Sequence, residues 1–435
     1  MSDRVWLGTA LAVAQEDTIT VADTWATGDT VVITINGNDL TVTVGASDTT
    51  TANVATAIND AFNASAALDG TGNTDATSDR GGQEIAEFKE LTASVAGSVV
   101  TITTTSSNKG KPFTMSVVET TAGTGTASET TATAATGPNH ASNADNWSGG
   151  AVPVNSDDVI FDDRANSDCL YGLNLSSVTL TSLSITNGFT KKIGLKPLAG
   201  SGSAQYAEYR GRYLQVSATN VSIAGDGQGS GRINLNVGSN AATIDIDANG
   251  SSEDRVRPAI LLLGTASSNI LRVVNGSVGV AFYEDESSHL ATCHVEGSQT
   301  SVFLGEGVDL ADATITQNAG TLTTNSANGS GTVTMEGGTC VLNAGAHAAI
   351  TVNGGTNEYR STGTITTLTV TKGGTCNLSK NVSRTVTNVN VYEGAVLTGL
   401  FAKLTLTNGI DFEQCDWNSA SVDLGKNFTA TLSAV

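Results

Sequence analysis

The stretch VNGGTNEY, residues 352–359, runs an apolar strand into a glycine pair and a threonine, and the chain repeats the phrase. Upstream stand VTMEGGTCVL, with Gly338 and Thr339, and ITQNAGTLTT, with Gly320 and Thr321. Downstream the phrase returns as VTKGGTCNL, with Gly374 and Thr375, and more faintly as VYEGAVL at Gly394. With the second glycine as the mark, the steps from Gly320 through Gly338, Gly355 and Gly374 to Gly394 are 18, 17, 19 and 20 residues. Fainter copies at VVNGSV (Ser277) and HVEGSQ (Ser298) extend the series upstream by steps of 21 and 22. A period of about 20 residues without helical spacing reads as a β-solenoid, in which each repeat is one turn and only stacking buries its apolar side.

Alternation inside each copy supports this reading. Val333 and Met335, Ile350 and Val352, and Val389 and Val391 lie two apart before the glycine, as inward strand positions do. After it, Leu322, Cys340, Asn357, Cys376 and Val396 are read as one inward column, with Thr321, Thr339, Thr356 and Thr375 as the neighbouring outward one. Successive turns stack at roughly 4.8 Å, so the threonines form a hydroxyl ladder and the glycines supply the corner. The competing reading is an ordinary β-sandwich with many short strands.

Composition agrees with a polar β surface. Only 14% of the 435 residues are charged, against a usual ~25%, and there are 48 glycines and five prolines. The formal net charge of −21 disfavours nucleic-acid and acidic-membrane partners, because phosphate neutralisation needs clustered cations. No apolar stretch approaches the ~18 residues of a membrane helix. MSDRVWLGTA lacks the basic start and apolar run of a signal peptide. The five cysteines, at 169, 293, 340, 376 and 415, contain no CxxC. Cys340 and Cys376 share a column two turns apart, roughly 9.6 Å, which is too far for a disulfide. Reduced core thiols made in a cytoplasm are expected.

Residues 18–120 differ from the rest. TVVITINGNDLTVTV (30–44) is a hairpin about an Asn-Gly turn. TTTANVATAINDAFNAS (49–65) places Val54, Ile58 and Phe62 at helical spacing behind Thr49 or Thr50 as N-cap. Strands near 85–94, at 98–105 and at 112–118 complete a small α+β module with one helix on a small sheet. Residues 120–139, rich in Thr, Ala and Gly, read as a linker.

The segment NWSGGAVPVNSDDVIF, with Trp147, a glycine pair, Pro153 and Asp157/Asp158 before an apolar strand, resembles the entry segment of large bacterial and phage β-helix proteins. In such relatives a short Trp-x-Gly strand lies just upstream; here Val5-Trp6-Leu7-Gly8 stands apart from Trp147 by the whole α+β module. DCLYGLNLSSVTLTSLSI (168–185) fits the same pattern. The chain is therefore divided into a cap strand at 1–14, an inserted domain with its linker at 15–139, and a β-helix at 140–435. The resemblance covers about two thirds of the chain. It implies an elongated, commonly homotrimeric virion protein, such as a phage tailspike, head fibre or capsid decoration protein. Such a protein is synthesised in the host cytoplasm, placed on the virion surface, and partnered by other virion proteins such as the major capsid protein.

Several motifs carry alternative readings. Asp245, Asp247, Asn249 and Gly250 have the spacing of a calcium loop, although position 12 is Val256, and two outward strand positions explain the same spacing. YEDESSH gathers Glu284, Asp285 and Glu286; with Glu208 or Asp254 these would supply the carboxylate pair of a polysaccharide depolymerase, or simply form an acidic turn. QYAEYRGRYLQV (205–216) concentrates Tyr206, Tyr209, Arg210, Arg212 and Tyr213. Tyr206, Tyr209, Arg210 and Tyr213 are the candidate trimer contacts; stacking of a host glycan and packing of a cap against the first turns are the alternatives. AGDGQGSGRI (224–233) lacks the Gly-Lys-Ser/Thr ending of a phosphate loop. His289, Cys293 and His294 fall in a strand, where their spacing does not assemble a zinc site. The four histidines, at 140, 289, 294 and 347, are too scattered for a Ser/His/Asp constellation.

The expectation is a non-enzymatic, trimeric phage capsid decoration or head-fibre protein without cofactor, a rod of about 11–13 turns and roughly 50–60 Å. Its N-terminal end is closed by Trp6 and Trp147 and its C-terminal end by the stretch around Trp417. A tailspike that binds or cleaves host polysaccharide and a monomeric bacterial solenoid adhesin are the rivals.

Overall fold

A computed structural model describes residues 2–66, 76–78, 86–200, 206–225, 231–248, 256–399, 403–413 and 420–423. The protein is mainly β, 6% helical, and residues 158–422 form a parallel β-solenoid of about 11 turns at about 21 residues per turn. Each regular turn carries two strands. Ser330–Met335 turns through Glu336, Gly337 and Gly338 into Thr339–Leu342, and the next turn repeats this with His347–Val352 and Gly355–Tyr359. Every second side chain points inward, and equivalent residues stack. One interior column runs from Val159 through Leu183, Ile244, Cys293, Val333 and Leu368 to Ile410. Each fully buried aliphatic side chain in such a column contributes about 1.5–3 kcal/mol relative to exposure. The strands pair only with the turns before and after them, so stability accumulates turn by turn.

The glycine corner follows from stacking. Gly320, Gly338 and Gly355 have φ of +70°, +81° and +73°, the left-handed region that a Cβ disfavours. A Cβ on Gly338 would lie 2.3 Å from the Gly320 carbonyl oxygen, and one on Gly355 would lie 2.3 Å from that of Gly338. Each corner therefore rests on the backbone of the corner before it. Thr321, Thr339, Thr356 and Thr375 align as the expected ladder, beside Leu322, Cys340, Asn357 and Cys376. Three register assignments are corrected. Cys376 pairs with Leu397, and Thr375 pairs with Val396, because Gly394 stands opposite Gly373, one place before the glycine taken as the mark of the preceding turn. Upstream, Gly276 pairs with Thr300 and Ser277 with Ser301, while Ser301 pairs with Thr321. Ser277 thus belongs to the threonine column, and Ser298 lies in a longer corner with no equivalent.

The inserted domain is richer in strands than expected. Its helix, Thr51–Ala66, starts at Thr50, whose Oγ1 accepts a hydrogen bond from Asn53 N at 3.3 Å. Asn36 and Gly37, at φ of +56° and +82°, turn Thr30–Ile35 into Asn38–Thr43. The helix packs against two four-stranded antiparallel sheets, rather than one small sheet, and all three share one core. Phe62 and Phe88 stack there at 4.7 Å. Residues 86–90 form a 3₁₀ turn, and the strand expected near 85–94 is Leu91–Ala96. The linker reading of 120–139 is also corrected. Thr126–Thr133 is an edge strand paired along Glu16–Ala22, since threonine suits a strand whose outer side meets water even without bulky apolar residues. Antiparallel hydrogen bonds between Val13 and Thr136 close the neck where the chain enters and leaves the domain.

Below the neck, Asp3–Val5 joins the solenoid as its first strand, parallel to Asp158–Phe161. Trp6 and Trp147 are buried edge to face, with centroids 5.1 Å apart, and both contact Phe161. Ser148 hydrogen-bonds the outer edge of the first strand through Val5. The Asp157 carboxylate accepts from Ser2 N, Arg4 Nε and Val154 N. Burial alone would raise its pKa, but these bonds and the guanidinium together hold it below the usual carboxylate range. Trp417 and Cys415 lie outside the described residues. The other four cysteines are buried free thiols; in Cys293, Cys340 and Cys376 burial pushes the pKa up to about 12.

Two measurements test this account. Gly338→Ala is expected to lower the urea midpoint more than Gly373→Ala. At Gly373, with φ of +88°, the nearest foreign atom to a Cβ is 3.7 Å away, so only the left-handed backbone opposes substitution, by about 1–2 kcal/mol. At Gly338 the backbone collision adds about 1–3 kcal/mol more; equal losses would refute the stacked corner. The second concerns His347, buried in the solenoid with Nδ1 2.8 Å from Ser330 Oγ and its pKa lowered by burial to about 4. A histidine depressed in the folded state favours folding fully above its ordinary value of 6.5 and loses that contribution as pH falls towards about 4. Stability should fall by roughly 1.4 kcal/mol per pH unit across that window, and His347→Gln should flatten the slope in urea unfolding.

Candidate binding cleft between the inserted domain and the solenoid

The tyrosine-arginine segment leaves the solenoid wall and reaches the inserted domain. Its base is a short antiparallel pairing of Leu198–Ala199 with Tyr206–Ala207, tied by Leu195 N donating to the Arg212 carbonyl. At its far end Tyr209 Oη donates to the Pro112 carbonyl at 2.5 Å. Arg210 pairs with Glu208 at 2.5 Å and faces Glu90 of the inserted domain at 3.8 Å; Glu90 also binds Lys111 at 2.8 Å. The guanidinium lies over the rings of Tyr171 and Tyr209, 5.3 and 5.0 Å from their centroids. Burial would lower the Arg210 pKa, but the Glu208 carboxylate together with the Tyr209 and Tyr171 phenols holds the group above its ordinary value. His140, whose pKa burial lowers, donates from Nε2 to the Gly110 carbonyl at 2.6 Å and packs on Tyr171. This face joins the two parts of the chain by aromatic and charge-assisted contacts.

The candidate trimer contacts are thereby relocated. Tyr206 and Tyr213 are buried, and the Arg210 side chain is 8% exposed. Tyr209 and Arg210 meet the inserted domain of the same chain. Tyr213 Oη donates to Glu286 at 2.6 Å, and burial followed by the Glu286 carboxylate raises its pKa, so it remains a donor. The segment fastens a domain to the solenoid, and Tyr206 and Tyr213 are already covered within the chain. The spacing of aromatic residues marked a contact surface, but it held no information about which surface receives it.

The acidic motifs are also engaged. Glu286 is buried, accepting from Tyr213 and Tyr283 N and lying 3.5 Å from Arg212, which stacks over Tyr283 at 4.6 Å. Glu284 and Asp285 lie in an exposed turn, and Glu208 is bound to Arg210. Glu208 and Glu286 are held by different arginines. Asp245 and Asp247 point outward two apart on Thr243–Ala248, where Asp245 faces Arg272 at 3.8 Å and Asp247 accepts from Asn275 at 2.6 Å. Asn249, Gly250 and Asp254 lie outside the described residues, as do 226–230 of AGDGQGSGRI. Cys293 points into the core, His294 points outward, and His289 faces Asp309 at 3.4 Å. Among the described residues no group of three or more His, Cys, Asp or Glu could hold a metal ion. No helix among them is long and apolar enough to cross a membrane.

Where the segment meets the inserted domain, a cleft of about 350 Å³ opens. One wall is Pro112–Phe113–Thr114 of the inserted domain; the other includes Tyr171, Tyr209 and Gln215 of the solenoid side. Nothing in the sequence marked Pro112, Phe113, Tyr171 and Gln215 as parts of one site, since only folding brings these distant positions together. No family model matches the chain, and no curated protein and no solved structure matches it.

Tyr209→Phe should leave the Pro112 carbonyl without its donor and weaken docking by about 1–3 kcal/mol. Hydrogen exchange checks this: amides of 108–114 should exchange faster while those of Ser330–Tyr359 are unchanged. Unchanged exchange at 108–114 would remove Tyr209 from the docking contact.

Proposed function

We propose that the chain is a structural, non-enzymatic protein of a phage particle, a capsid decoration or head-fibre component acting as a homotrimer on the virion surface. The observation that carries this reading is the entry segment. NWSGGAVPVNSDDVIF supplies Trp147, the Ser148 cover of the first strand and the Asp157 clasp, and so closes one end of a rod of roughly 50 Å. A closed end suits a protein that must stand exposed without templating further strands. Of the carboxylates that a depolymerase reading would use, Glu208 and Glu286 already bind Arg210, Tyr213 and Arg212, which favours a structural role for these two, while Glu284 and Asp285 stand in an exposed turn. With Tyr206, Tyr209, Arg210 and Tyr213 engaged within the chain, subunit contact in this proposal uses the threonine-lined solenoid faces.

Light scattering on the purified protein, followed by antibody labelling of phage particles, tests the reading. A species near three times the 44.1 kDa chain mass, with label on particles, is the expected result. A stable monomer would overturn the trimeric particle protein and bring forward a single-chain adhesin. Release of reducing ends from host polysaccharide would instead place the chain among tailspike enzymes.

A further inference from the structure

We propose that the cleft between the inserted domain and the solenoid binds a neutral saccharide, a property separate from the proposed particle role. Its volume of about 350 Å³ falls within the ~300–1,000 Å³ of small-ligand sites, and it lies where two units of a chain meet, a favoured position for them. The lining combines two kinds of group. The half-buried Tyr209 brings an aromatic ring to the cleft wall, of the kind on which the C–H face of a pyranose packs, and the edges of the buried Phe113 and Tyr171 rings continue that wall. Ser142, Tyr171, Asn174 and Gln215 offer polar ends, and among the described residues no partner is recorded for Ser142 Oγ, Tyr171 Oη, Asn174 Nδ2 or the Gln215 side-chain amide. Tyr171 stays a phenol over the working range, because burial pushes its pKa up to about 12. A hydroxyl-rich ligand exchanges donors and acceptors with such groups, whereas a purely apolar one would leave them unpaired.

Charge selects the class of saccharide. Arg210 is the cation lining the cleft, and Glu208 at 2.5 Å and Glu90 at 3.8 Å already compensate it. The chain as a whole carries −21, so phosphate, sulfate and uronate groups meet a repulsive field with no free cation in the cleft to offset it. Arg210 also braces Tyr171 and Tyr209 from one side, at 5.3 and 5.0 Å. Rings held in place before the ligand arrives lose little freedom when it binds.

The test uses the full chain on a glycan array carrying neutral hexose and N-acetylhexosamine oligosaccharides beside sialylated and sulfated ones. The strongest hit is then titrated calorimetrically against the wild type and the double variant Asn174→Ala/Gln215→Ala. Neither side chain bonds the inserted domain, and Asn174 accepts only from the exposed Ser176 two residues on, so the variant should stay folded with a melting temperature lowered by a few degrees at most. Neutral glycans are expected to bind, with affinity falling about ten-fold or more in the variant. A folded variant that binds like the wild type would overturn the site, as would an array with no hits or with acidic hits alone. If the double variant fails to fold, Gln215→Glu, an isosteric change, takes its place under the same criteria.

Discussion

Stacking at the spacing of one β-strand, roughly 4.8 Å per turn, is the constraint on which the rest of the solenoid depends. At that distance each side chain has the equivalent residue of the next turn as its nearest neighbour, so a column accepts only residues that pack on their own kind. Aliphatic residues satisfy this inside, from Val159 to Ile410, and threonines satisfy it outside, from Ser301 to Thr375. At the corner the same distance leaves no room for a Cβ between Gly338 and the Gly320 carbonyl. Low charge content follows as well, since a column of like charges at this spacing would repel itself. Where charges do stack outward they alternate, as Asp245, Arg272 and the nearby Glu296 do.

The same constraint explains which features were legible in the sequence. A repeat is visible because each turn must resemble its neighbours, so the glycine marks and the period-2 alternation from Gly320 to Gly374 gave both fold and register. Legibility ended where a corner changed its glycine position or its length. Gly394 stands opposite Gly373 and not Gly374, which moved the inward position from Val396 to Leu397, and the longer corner after Val295 displaced the equivalence read at Ser298. Corners face outward, where an added residue disturbs no column, so nothing local in the sequence announces them. Thr126–Thr133 was obscured for a different reason. An edge strand with only Ala127 buried lacks the apolar alternation that marks a strand, and its pairing with Glu16–Ala22 is a long-range property. The cleft was illegible for the same reason: Phe113, Tyr171 and Gln215 come from separate elements and share no motif.

A solenoid tolerates insertion at its end better than in its middle. An interior turn pairs on both sides, so a domain placed there would interrupt two ladders, whereas the first strand, Asp3–Val5, pairs with one strand alone. The insertion lies immediately after that strand, between Trp6 and its partner Trp147. The antiparallel bonds of Val13 with Thr136 bring the two ends of the domain together, so the entropy of closing a loop of more than a hundred residues is met by the domain's own folding. Asn146 secures the base of this arrangement from the other side, accepting from Ala10 N and donating to the Gly137 and His140 carbonyls.

Chemistry in this molecule gathers where the repeat is broken. The regular turns from Thr314 to Val391 present threonine, asparagine and glycine outward, groups that hydrate well and recognise little. The aromatic and cationic groups that do recognise shapes sit on the excursion that carries Tyr206–Tyr213 and on the domain inserted before the second tryptophan. Those two departures from the repeat meet each other, through Tyr209 and Pro112 and through Arg210 and Glu90. A column must keep its identity over many turns, and a residue placed there for recognition would have to be acceptable to the turns on either side. An excursion has no such neighbours. The rigid part of the chain therefore positions the variable part, and the cleft lies at the contact between two segments that the stacking rule does not govern.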